Sequence, residues 1–429
     1  MEPTHYDYII LGSGFVESTL ACILSNKKKK VMIIDRNDVY GAELATLQYS
    51  QLETYFGNKE MNKILLKHDR DFCIDITPKL LLADSDLVKL ILKYGIDETL
   101  EFVNIPGSFI YKNKLHSVPT SEAQSLKTGL VGLWEKYSVM RFFWDVKKYG
   151  QNPDNYEFTN TMNEEFDKYG ISKDVREFIG HAIALNLDDT YLERHPKETF
   201  DKICQYVTSI MSFQGSLKSP YIYPKYGISG IIQGFVRNAC INNAEVMLRA
   251  YITEIDTRNN IVRVIEPVDK SEMCFKAGKI ISDQSYIQMH SSSYEVIRGI
   301  CILQGDSEIT KKAPSSQILF LKSEYERNND IFVVILGKEE EATPEGYKVA
   351  IISTVKETEN PEKEIEPVMS KLGNVVKSFI EVRSVYKTED HHNIIFTKGV
   401  DESTHFETLC MELQDICKKL GISLDESTK

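Results

Sequence analysis

The chain opens on apolar runs separated by polar turns, a pattern that predicts a βαβ unit. Residues 6–11 and 31–34 are apolar runs of strand length, and residues 18–24 between them have helical character. A glycine-rich turn follows the first run, and Asp35 follows the second. This order matches the dinucleotide-binding fingerprint, in which a helix N-terminus holds the pyrophosphate and the acid holds a ribose hydroxyl. The pattern predicts a flavoprotein-like nucleotide-binding scaffold of the α/β class.

The glycine turn carries a carboxylate where its third glycine should be. Gly12 permits the tight turn and Gly14 lets the backbone approach phosphate, but Glu17 takes the third position. An acid in the first turn of a helix suits the helix dipole and repels a bound pyrophosphate. Gly12, Gly14, Glu17 and Asp35 therefore keep the fold signal of a dinucleotide-binding loop, while the cofactor signal is damaged.

The pattern turns helical in the middle of the chain. Apolar residues recur at three- and four-residue steps within residues 121–214, and strand patterns resume after a loop rich in glycine, proline and tyrosine at 215–230. This organisation predicts a discontinuous domain I, formed by residues 1–120 and 225–429 with mixed sheets. An inserted, all-helical domain II is predicted at residues 121–224.

Composition narrows the class of function. The net charge of −12 argues against nucleic-acid binding and against a polybasic membrane anchor. No apolar run approaches the roughly 20 residues that span a bilayer, and the first residues do not resemble a signal peptide. Eight scattered cysteines without a Cys-x-x-Cys pair indicate reduced thiols. We expect a cytoplasmic protein.

No catalytic or metal-binding constellation stands out in the sequence. It contains no His-Glu-x-x-His, Gly-x-Ser-x-Gly or Walker motif. Two hypotheses remain from the residues alone: an FAD-dependent oxidoreductase, or a protein that keeps this scaffold without its cofactor and binds another protein. Glu17 favours the second, as does Ala42, which stands where flavoproteins often have a second glycine.

Segments along nearly the whole chain resemble one family. They include the glycine loop with its glutamate, residues 35–43, residues 69–79, residues 178–185, residues 218–224 with 233–237, and residues 400–408. In this order they are similar to the Rab GDP dissociation inhibitors, whose family also contains the Rab escort proteins. An ordinary flavoprotein would share only the first segment.

The resemblance implies a binding protein that is not an enzyme. Family members bind GDP-bound, geranylgeranylated Rab GTPases, inhibit GDP dissociation, extract the GTPases from membranes and recycle them through the cytosol. The expected protein is a monomer with transient peripheral membrane contact. The alternative within the family is an escort protein that presents Rab for prenylation, but escort proteins are generally longer.

The resemblance also assigns residues. It implies a Rab-binding platform on domain I, formed by Tyr40, Arg70, Gln233, Arg237 and Met247, and places Tyr221 in a mobile effector loop. Domain II would shelter the prenyl group, and we predict that an apolar set lines this pocket: Leu130, Leu133, Trp134, Tyr137, Phe178 and Ile203. Ordinary core packing is the competing interpretation for each of these six.

The chain departs from the family pattern at three places. Gly230 replaces an acidic platform residue, and residues 215–217 replace an Arg-Tyr-Gly sequence. A basic run in the helical insert is replaced at residues 137–139. Loss of the acid at Gly230 removes a charge-assisted contact, so we expect altered affinity or partner range. The chain is therefore identified as a divergent member.

Overall fold

Two seven-stranded sheets and a helical segment make up the fold. The computed structural model describes residues 2–118, 133–212, 218–287, 292–310, 313–387, 391 and 393–424. The predicted mixture of sheets and helices is present in the described residues.

The strands that follow along the chain are β1 (Thr4–Leu11), β2 (Val31–Ile34), β3 (Thr46–Leu47), β4 (Ile74–Asp75), β5 (Leu81–Leu82), β6 (Phe102–Asn104), β7 (Gly107–Lys112), β8 (Lys114–Ser117), β9 (Tyr221–Pro224), β10 (Glu245–Met247), β11 (Tyr251–Asp256), β12 (Ile261–Ile265), β13 (Glu272–Asp283), β14 (Ser292–Gln304), β15 (Ser316–Phe320), β16 (Ile331–Leu336), β17 (Tyr347–Val355), β18 (Val375–Tyr386) and β19 (Ile394–Thr397).

The α-helices are α1 (Phe15–Asn26), α2 (Tyr49–Tyr55), α3 (Lys63–Leu66), α4 (Asp86–Lys93), α5 (Leu133–Gln151), α6 (Met162–Asp167), α7 (Lys173–Glu177), α8 (Lys197–Met211), α9 (Ser229–Ile241), α10 (Pro361–Met369) and α11 (Glu407–Lys419). A π-helical stretch, Phe178–Ile183, follows α7 directly.

The first sheet has a parallel centre in the order β10-β2-β1-β13-β19. Strand β13 is long enough to pair with several strands. Its first half also pairs antiparallel with β12, and β12 pairs with β11. Apolar residues fill β2 and the end of β1, from Ile9 to Leu11, because these residues are buried in the middle of the sheet. The predicted βαβ start is therefore present, with β13 added beside β1.

Helix α1 lies buried between the first sheet and two other helices. Its residues from Phe15 to Ser25 are all buried, which explains its weak amphipathic pattern. The Phe15 ring packs against Phe235 of α9 and Phe406 near α11. The Asn26 side chain donates to Asn238 Oδ1 at 2.7 Å. Helix α9 is thereby held firmly against α1.

The second sheet has the order β18-β14-β17-β16-β15-β7-β8. All its neighbours are antiparallel except β7 and β15, which are parallel. Strand β16 is buried along its whole length and consists only of apolar residues. Helix α10 contributes Ile365 and Val368 to the core beside this sheet.

The helical segment between β8 and β9 packs around aromatic rings. Phe142 of α5 contacts Phe166, Tyr169 and Phe200 with ring centroids 5.3–5.4 Å apart. Helices α5 to α8 lie between Leu133 and Met211, while residues 119–132 and 213–217 lie outside the described residues, so the domain boundaries stay a prediction. Among the described helices, none combines the length and apolarity that crossing a bilayer requires.

Two secondary-structure predictions were wrong. The loop predicted at 215–230 contains strand β9, which pairs with β5 on one side and β6 on the other. Asn104 supports it by donating to the carbonyls of Ser219 and Tyr221. The sequence pattern also predicts a helix at about 361–378, but the helix ends at Met369. Strand β18 begins at Val375 because pairing with β14 outweighs local helix propensity.

Candidate functional site

The glycine loop forms the turn that its sequence predicts. Gly12 has φ of +105°, a left-handed conformation that favours glycine, and its N–H donates to the Ile34 carbonyl at 2.9 Å. Gly14 is the N-cap of α1 in an extended conformation. The loop therefore positions the N-terminus of α1 at the carboxyl ends of β1 and β13, where nucleotide-binding sheets hold their ligands.

The Glu17 side chain occupies the space at this helix N-terminus. A Cβ atom added to Gly14 would lie 2.5 Å from Glu17 Oε2, so the carboxyl group folds back over the loop. Glu17 Oε1 accepts a hydrogen bond of 2.5 Å from the Thr397 hydroxyl at the end of β19. The residue is only 5% exposed. Its carboxyl group thus stands where an anionic ligand would meet the loop.

Carboxyl groups crowd the remaining space. A cavity of about 60 Å³ is lined by Glu17, Glu43, Asp283 and Glu412 together with loop backbone. Burial, reinforced by the nearby Asp283, raises the pKa of Glu17 to about 8 and that of Glu43 to about 7. Burial also raises the pKa of Glu412 to about 7. These carboxyl groups retain protons near neutral pH.

Asp35 is committed to the protein itself. It is fully buried, and its Oδ2 accepts from the Ser13 hydroxyl at 2.5 Å. Its Oδ1 accepts from the Asn37 backbone at 2.8 Å and from the Tyr286 hydroxyl at 3.0 Å. These bonds use the oxygens that would otherwise hold a ribose hydroxyl.

These residues do not fit the dinucleotide that the scaffold family implies. A cofactor pocket usually measures about 300–1,000 Å³, far more than the cavity at this loop. A pyrophosphate would also meet the Glu17 carboxyl group and the acids around it. The family resemblance implies that Gly12, Gly14, Glu17 and Asp35 form a vestigial loop that binds no cofactor, and this stays a prediction.

Two residues of the predicted platform lie on one exposed face of α9. Gln233 and Arg237 are one helical turn apart and both are exposed. Gln233 Nε2 donates to Ser229 Oγ at 3.4 Å. Phe235 and Val236, on the other side of the helix, are buried. Packing against α1 therefore presents the polar pair on a rigid support.

Tyr40 and Met247 lie beside Asp35. The Asp35 N–H donates to the Met247 carbonyl at 2.8 Å, because β10 pairs with β2. Tyr40 is half-buried, and its pKa is raised by burial and also by Cys240 and Asp35 nearby. Cys240 belongs to the exposed face of α9. Cys240 thus acts on the pKa of Tyr40 from α9, and the place of Tyr40 on the platform stays a prediction.

Arg70 reaches α9 only through an intermediate segment. It is exposed in the short 3-10 turn Asp69–Asp71. Downstream, the Cys73 N–H donates to the Ala342 carbonyl, and the Tyr226 N–H donates to the Glu340 carbonyl, each at 3.0 Å. Tyr226 then leads into α9. Among the residues that the structure describes, neither Arg70 nor Arg237 forms an ion pair.

Two exposed residues near these positions were missed in the sequence. Tyr226 is 62% exposed between the Arg70 segment and α9, and Ile241 is 69% exposed. Ile241 continues the four-residue steps of Gln233 and Arg237, which places an apolar side chain on the polar face of an amphipathic helix. An apolar residue at this position of the helical pattern is the sequence signal that could have identified Ile241.

Tyr221 does not lie in an exposed loop. It begins β9, has no exposed surface, and packs its ring at 84° to the Tyr206 ring of α8. Burial raises the pKa of its hydroxyl. The loop conformation predicted for Tyr221 is therefore wrong, because pairing with β5 places this residue in the core.

Of the six predicted prenyl-pocket residues, the three whose side chains the structure describes do not share one surface. Ile203 is fully buried in the core, Phe178 is nearly so, and Tyr137 is 61% exposed. Leu130 lies outside the described residues, and the side chains of Leu133 and Trp134 do too. In this conformation Phe178 and Ile203 are core residues, so the pocket stays a prediction.

The comparisons with known proteins define the family. The family model for GDP dissociation inhibitors matches residues 1–428. The chain belongs to the GDP dissociation inhibitor family. A Schizosaccharomyces pombe protein named probable secretory pathway GDP dissociation inhibitor 1 is 38% identical, with 97% of this chain and 96% of that protein covered. The Rab GDP dissociation inhibitor beta of Rattus norvegicus is 33% identical, with 97% and 94% covered.

Solved structures agree on the fold. The crystal structure of a Rab GDI from Plasmodium falciparum has a TM-score of 0.90 and 31% identity, covering 99% of this chain and 100% of that chain. An oxidoreductase from Methanosarcina mazei has a TM-score of 0.58 at 12% identity, covering 96% and 99%, so it shares the fold alone. The predicted flavoprotein-like fold class and the family resemblance are both confirmed. The family consists of regulators, and the enzyme alternative gains no comparable support.

Proposed function

We propose that this protein binds GDP-bound, geranylgeranylated Rab GTPases and inhibits release of their GDP. In this proposal it extracts the GTPases from membranes and returns them through the cytosol as a monomeric carrier in vesicle traffic. The membership of the family supports the inhibitor role. Two relatives are themselves named Rab GDP dissociation inhibitors.

The single observation that carries the proposal is the exposed face of α9. Gln233 and Arg237 project from a helix that is fixed to α1, and we add the half-buried Tyr40 to the same surface. Tyrosine and arginine are enriched where interfaces gain most of their binding energy. With Met247 and Arg70 on adjoining segments, these residues form the proposed platform for the polar surface of the GTPase.

The lipid requires a second surface. Taking a prenyl chain out of a bilayer forfeits about 0.8 kcal/mol for each methylene group. A carrier has to offset most of that loss with apolar cover, and the helical segment offers the aromatic core for it. We assign prenyl binding to domain II (residues 121–224) and platform binding to domain I (residues 1–120 and 225–429). Because Ile203 and Phe178 are buried, their involvement requires the helices to separate.

The proposal is tested by extraction from membranes. Incubation with membranes that carry GDP-loaded prenylated Rab should release the GTPase into the supernatant, whereas GTP-loaded Rab should stay bound. Arg237→Ala should reduce extraction about tenfold or more, as truncation of an arginine hot spot does. Its thermal unfolding should match that of the wild type because the side chain is exposed.

The matched control is Arg258→Ala in the exposed turn between β11 and β12. It removes the same charge far along the chain from α9 and should extract like the wild type. Absence of extraction for every Rab of the same organism would count against the function. Equal losses in both variants would remove Arg237 from the platform and indicate a general charge effect. A visible absorbance band from stoichiometric flavin in the purified protein would contradict the prediction that the protein binds no cofactor.

A further inference from the structure

The outward face of α5 exposes large apolar side chains. Trp144 is 62% exposed, Tyr137 61% and Met140 49%, and their three- and four-residue spacing places them on one face of the helix. Helix α5 buries its opposite face through Val139 and Phe142. A helix that packs on one side normally presents polar residues on the other. Packing in the protein core therefore does not explain why these three large apolar side chains are exposed.

Basic residues surround these apolar side chains. Arg141, Lys147 and Lys148 are exposed on the same helix, and Asp145 is the one acid between residues 137 and 148. Three positive charges less one negative charge leave +2 on this stretch, in a chain whose net charge is −12. The segment is thus opposite in charge to the protein as a whole.

The acid in this stretch, Asp145, interacts with other side chains of the protein. Asp145 Oδ2 accepts from the Tyr169 hydroxyl at 2.8 Å, and Oδ1 lies 3.1 Å from Lys148 Nζ. Lys148 Nζ also lies 4.5 Å from the centroid of the Trp144 ring. Aromatic and basic groups are therefore presented together at the surface.

We propose that the α5 face, defined as Tyr137, Met140, Arg141, Trp144 and Lys148, docks on an anionic lipid bilayer. Tryptophan and tyrosine favour the boundary between headgroups and acyl chains, and Lys and Arg are attracted to anionic headgroups. A helix that lies in this boundary combines both features on one side. The net negative charge of the remaining chain repels the same bilayer, so it turns the α5 face toward the membrane.

An acidic protein partner is the less favoured occupant. Such a partner would use the three basic residues, but it gives no reason for three large apolar side chains on the same face. The inference rests on the proposed function, since a carrier of lipid-anchored GTPases has to meet a bilayer. It goes beyond that function by assigning the contact to particular residues.

The test uses purified protein and vesicles without any GTPase. Wild-type protein should float with phosphatidylcholine vesicles that contain phosphatidylserine, and much less with phosphatidylcholine alone. The chain has two tryptophans, so Trp134→Phe leaves Trp144 as the reporter. Its emission should shift to shorter wavelength on anionic vesicles only. Flotation needs no fluorescence, and it decides the question if Trp134→Phe fails to fold.

Two variants locate the surface. Lys148→Gln with Arg141→Gln should weaken binding by about fivefold for each charge removed and reduce the Trp144 emission shift, and Trp144→Ala should weaken flotation. The control pair Tyr251→Ala with Arg258→Gln changes equally exposed residues elsewhere and should bind like the wild type.

Three outcomes would overturn the inference: no flotation of the wild type, equal losses in the control pair, or binding to polyglutamate without binding to vesicles. The last would favour an acidic protein partner. The flotation assay contains no GTPase, so a negative result in it does not test the proposed function. The extraction assay tests that function separately.

Discussion

Glu17 is the residue that separates the two interpretations of the glycine loop, as a cofactor site or as a loop that binds no cofactor. Its carboxyl group lies over Gly14, accepts from Thr397 and is shielded from water. The sequence predicted an acid beside the helix N-terminus. It could not predict the bond to Thr397, because the two residues are 380 positions apart. The result is a carboxyl group that holds its proton in the folded state to about pH 8.

Replacing Glu17 with glutamine should change how stability depends on pH. The folded-state pKa of about 8 lies above the ordinary value of 4.5, so the folded protein binds the extra proton between these values. Stability therefore falls as pH rises from about 4.5 to 8. Glu17→Gln should match the wild type near pH 5 and exceed it at pH 9 by on the order of 3 kcal/mol. Urea unfolding at both pH values measures the difference.

The control for this prediction is Glu366→Gln. Glu366 is an exposed acid on α10, so its replacement should leave the pH profile unchanged. An equal free energy of unfolding for Glu17→Gln and the wild type at pH 9 would mean that the Glu17 carboxyl group is solvated in solution.

The sequence pattern at 231–242 predicts a helix, and the structure has α9 at Ser229–Ile241. Its glycine at position 230 lies in the first turn, where the family pattern has an acid. A Cβ at Gly230 would lie 3.1 Å from Leu100 Cδ2, the end of a partly buried side chain that is able to move. Substitution is therefore compatible with the packing.

Restoring the acid should act on both stability and binding. Gly230→Ala should stabilise the protein by about 0.5–1 kcal/mol because glycine is a poor helix former. Gly230→Glu should do the same and add a favourable interaction with the helix dipole. Only Gly230→Glu should raise the affinity for GDP-bound prenylated Rab, measured beside thermal unfolding. Equal affinity gains in both variants would point to helix rigidity instead of charge.

Elements that depend on distant partners were the ones missed. Strand β9 lies in a segment whose prolines and glycines predicted a loop, yet β5 and β6 supply partners on both sides. Residues 375–378 were predicted as helix and belong to β18, whose partner β14 was itself not predicted. Where the local pattern and the partner agreed, as in β1, β2 and α1, the predicted elements were found.

At the scale of the whole molecule, buried charges tie the helical segment to the second sheet. His181 Nδ1 lies 2.6 Å from Asp330 Oδ2, just before β16, and His181 Nε2 lies 3.2 Å from Asp189 Oδ1. Burial lowers the pKa of His181, but the carboxylates of Asp189 and Asp330 outweigh it and raise the pKa to about 9. Lys112 and Asp174 add a second link at 3.1 Å.

Asp330→Asn should weaken this link in a pH-dependent way. The folded-state pKa of His181 lies above its ordinary value of 6.5, so its stabilising effect is complete below pH 6.5 and is lost as pH rises through 9. The variant should lose about 3 kcal/mol at pH 6, as broken buried ion pairs do, and less at pH 9.5. Denaturant unfolding across this range measures both. Lys89→Ala, which breaks an exposed pair, should change stability by less than about 1 kcal/mol. A constant difference across pH would exclude His181 as the cause.

The pairing of β1 with β13 has a consequence for synthesis on the ribosome. Leu11 lies beside Ser282, so one edge of the first strand stays open until 271 further residues have been made. At about 5–20 residues per second, that interval lasts about 15–55 s. Until β10 has been made, β1 and β2 have only each other as strand partners, and β1 then still waits for β13. The nascent chain thus exposes an unpaired strand edge of β1 through most of its translation. We expect chaperones that protect unpaired strands to bind it during this time.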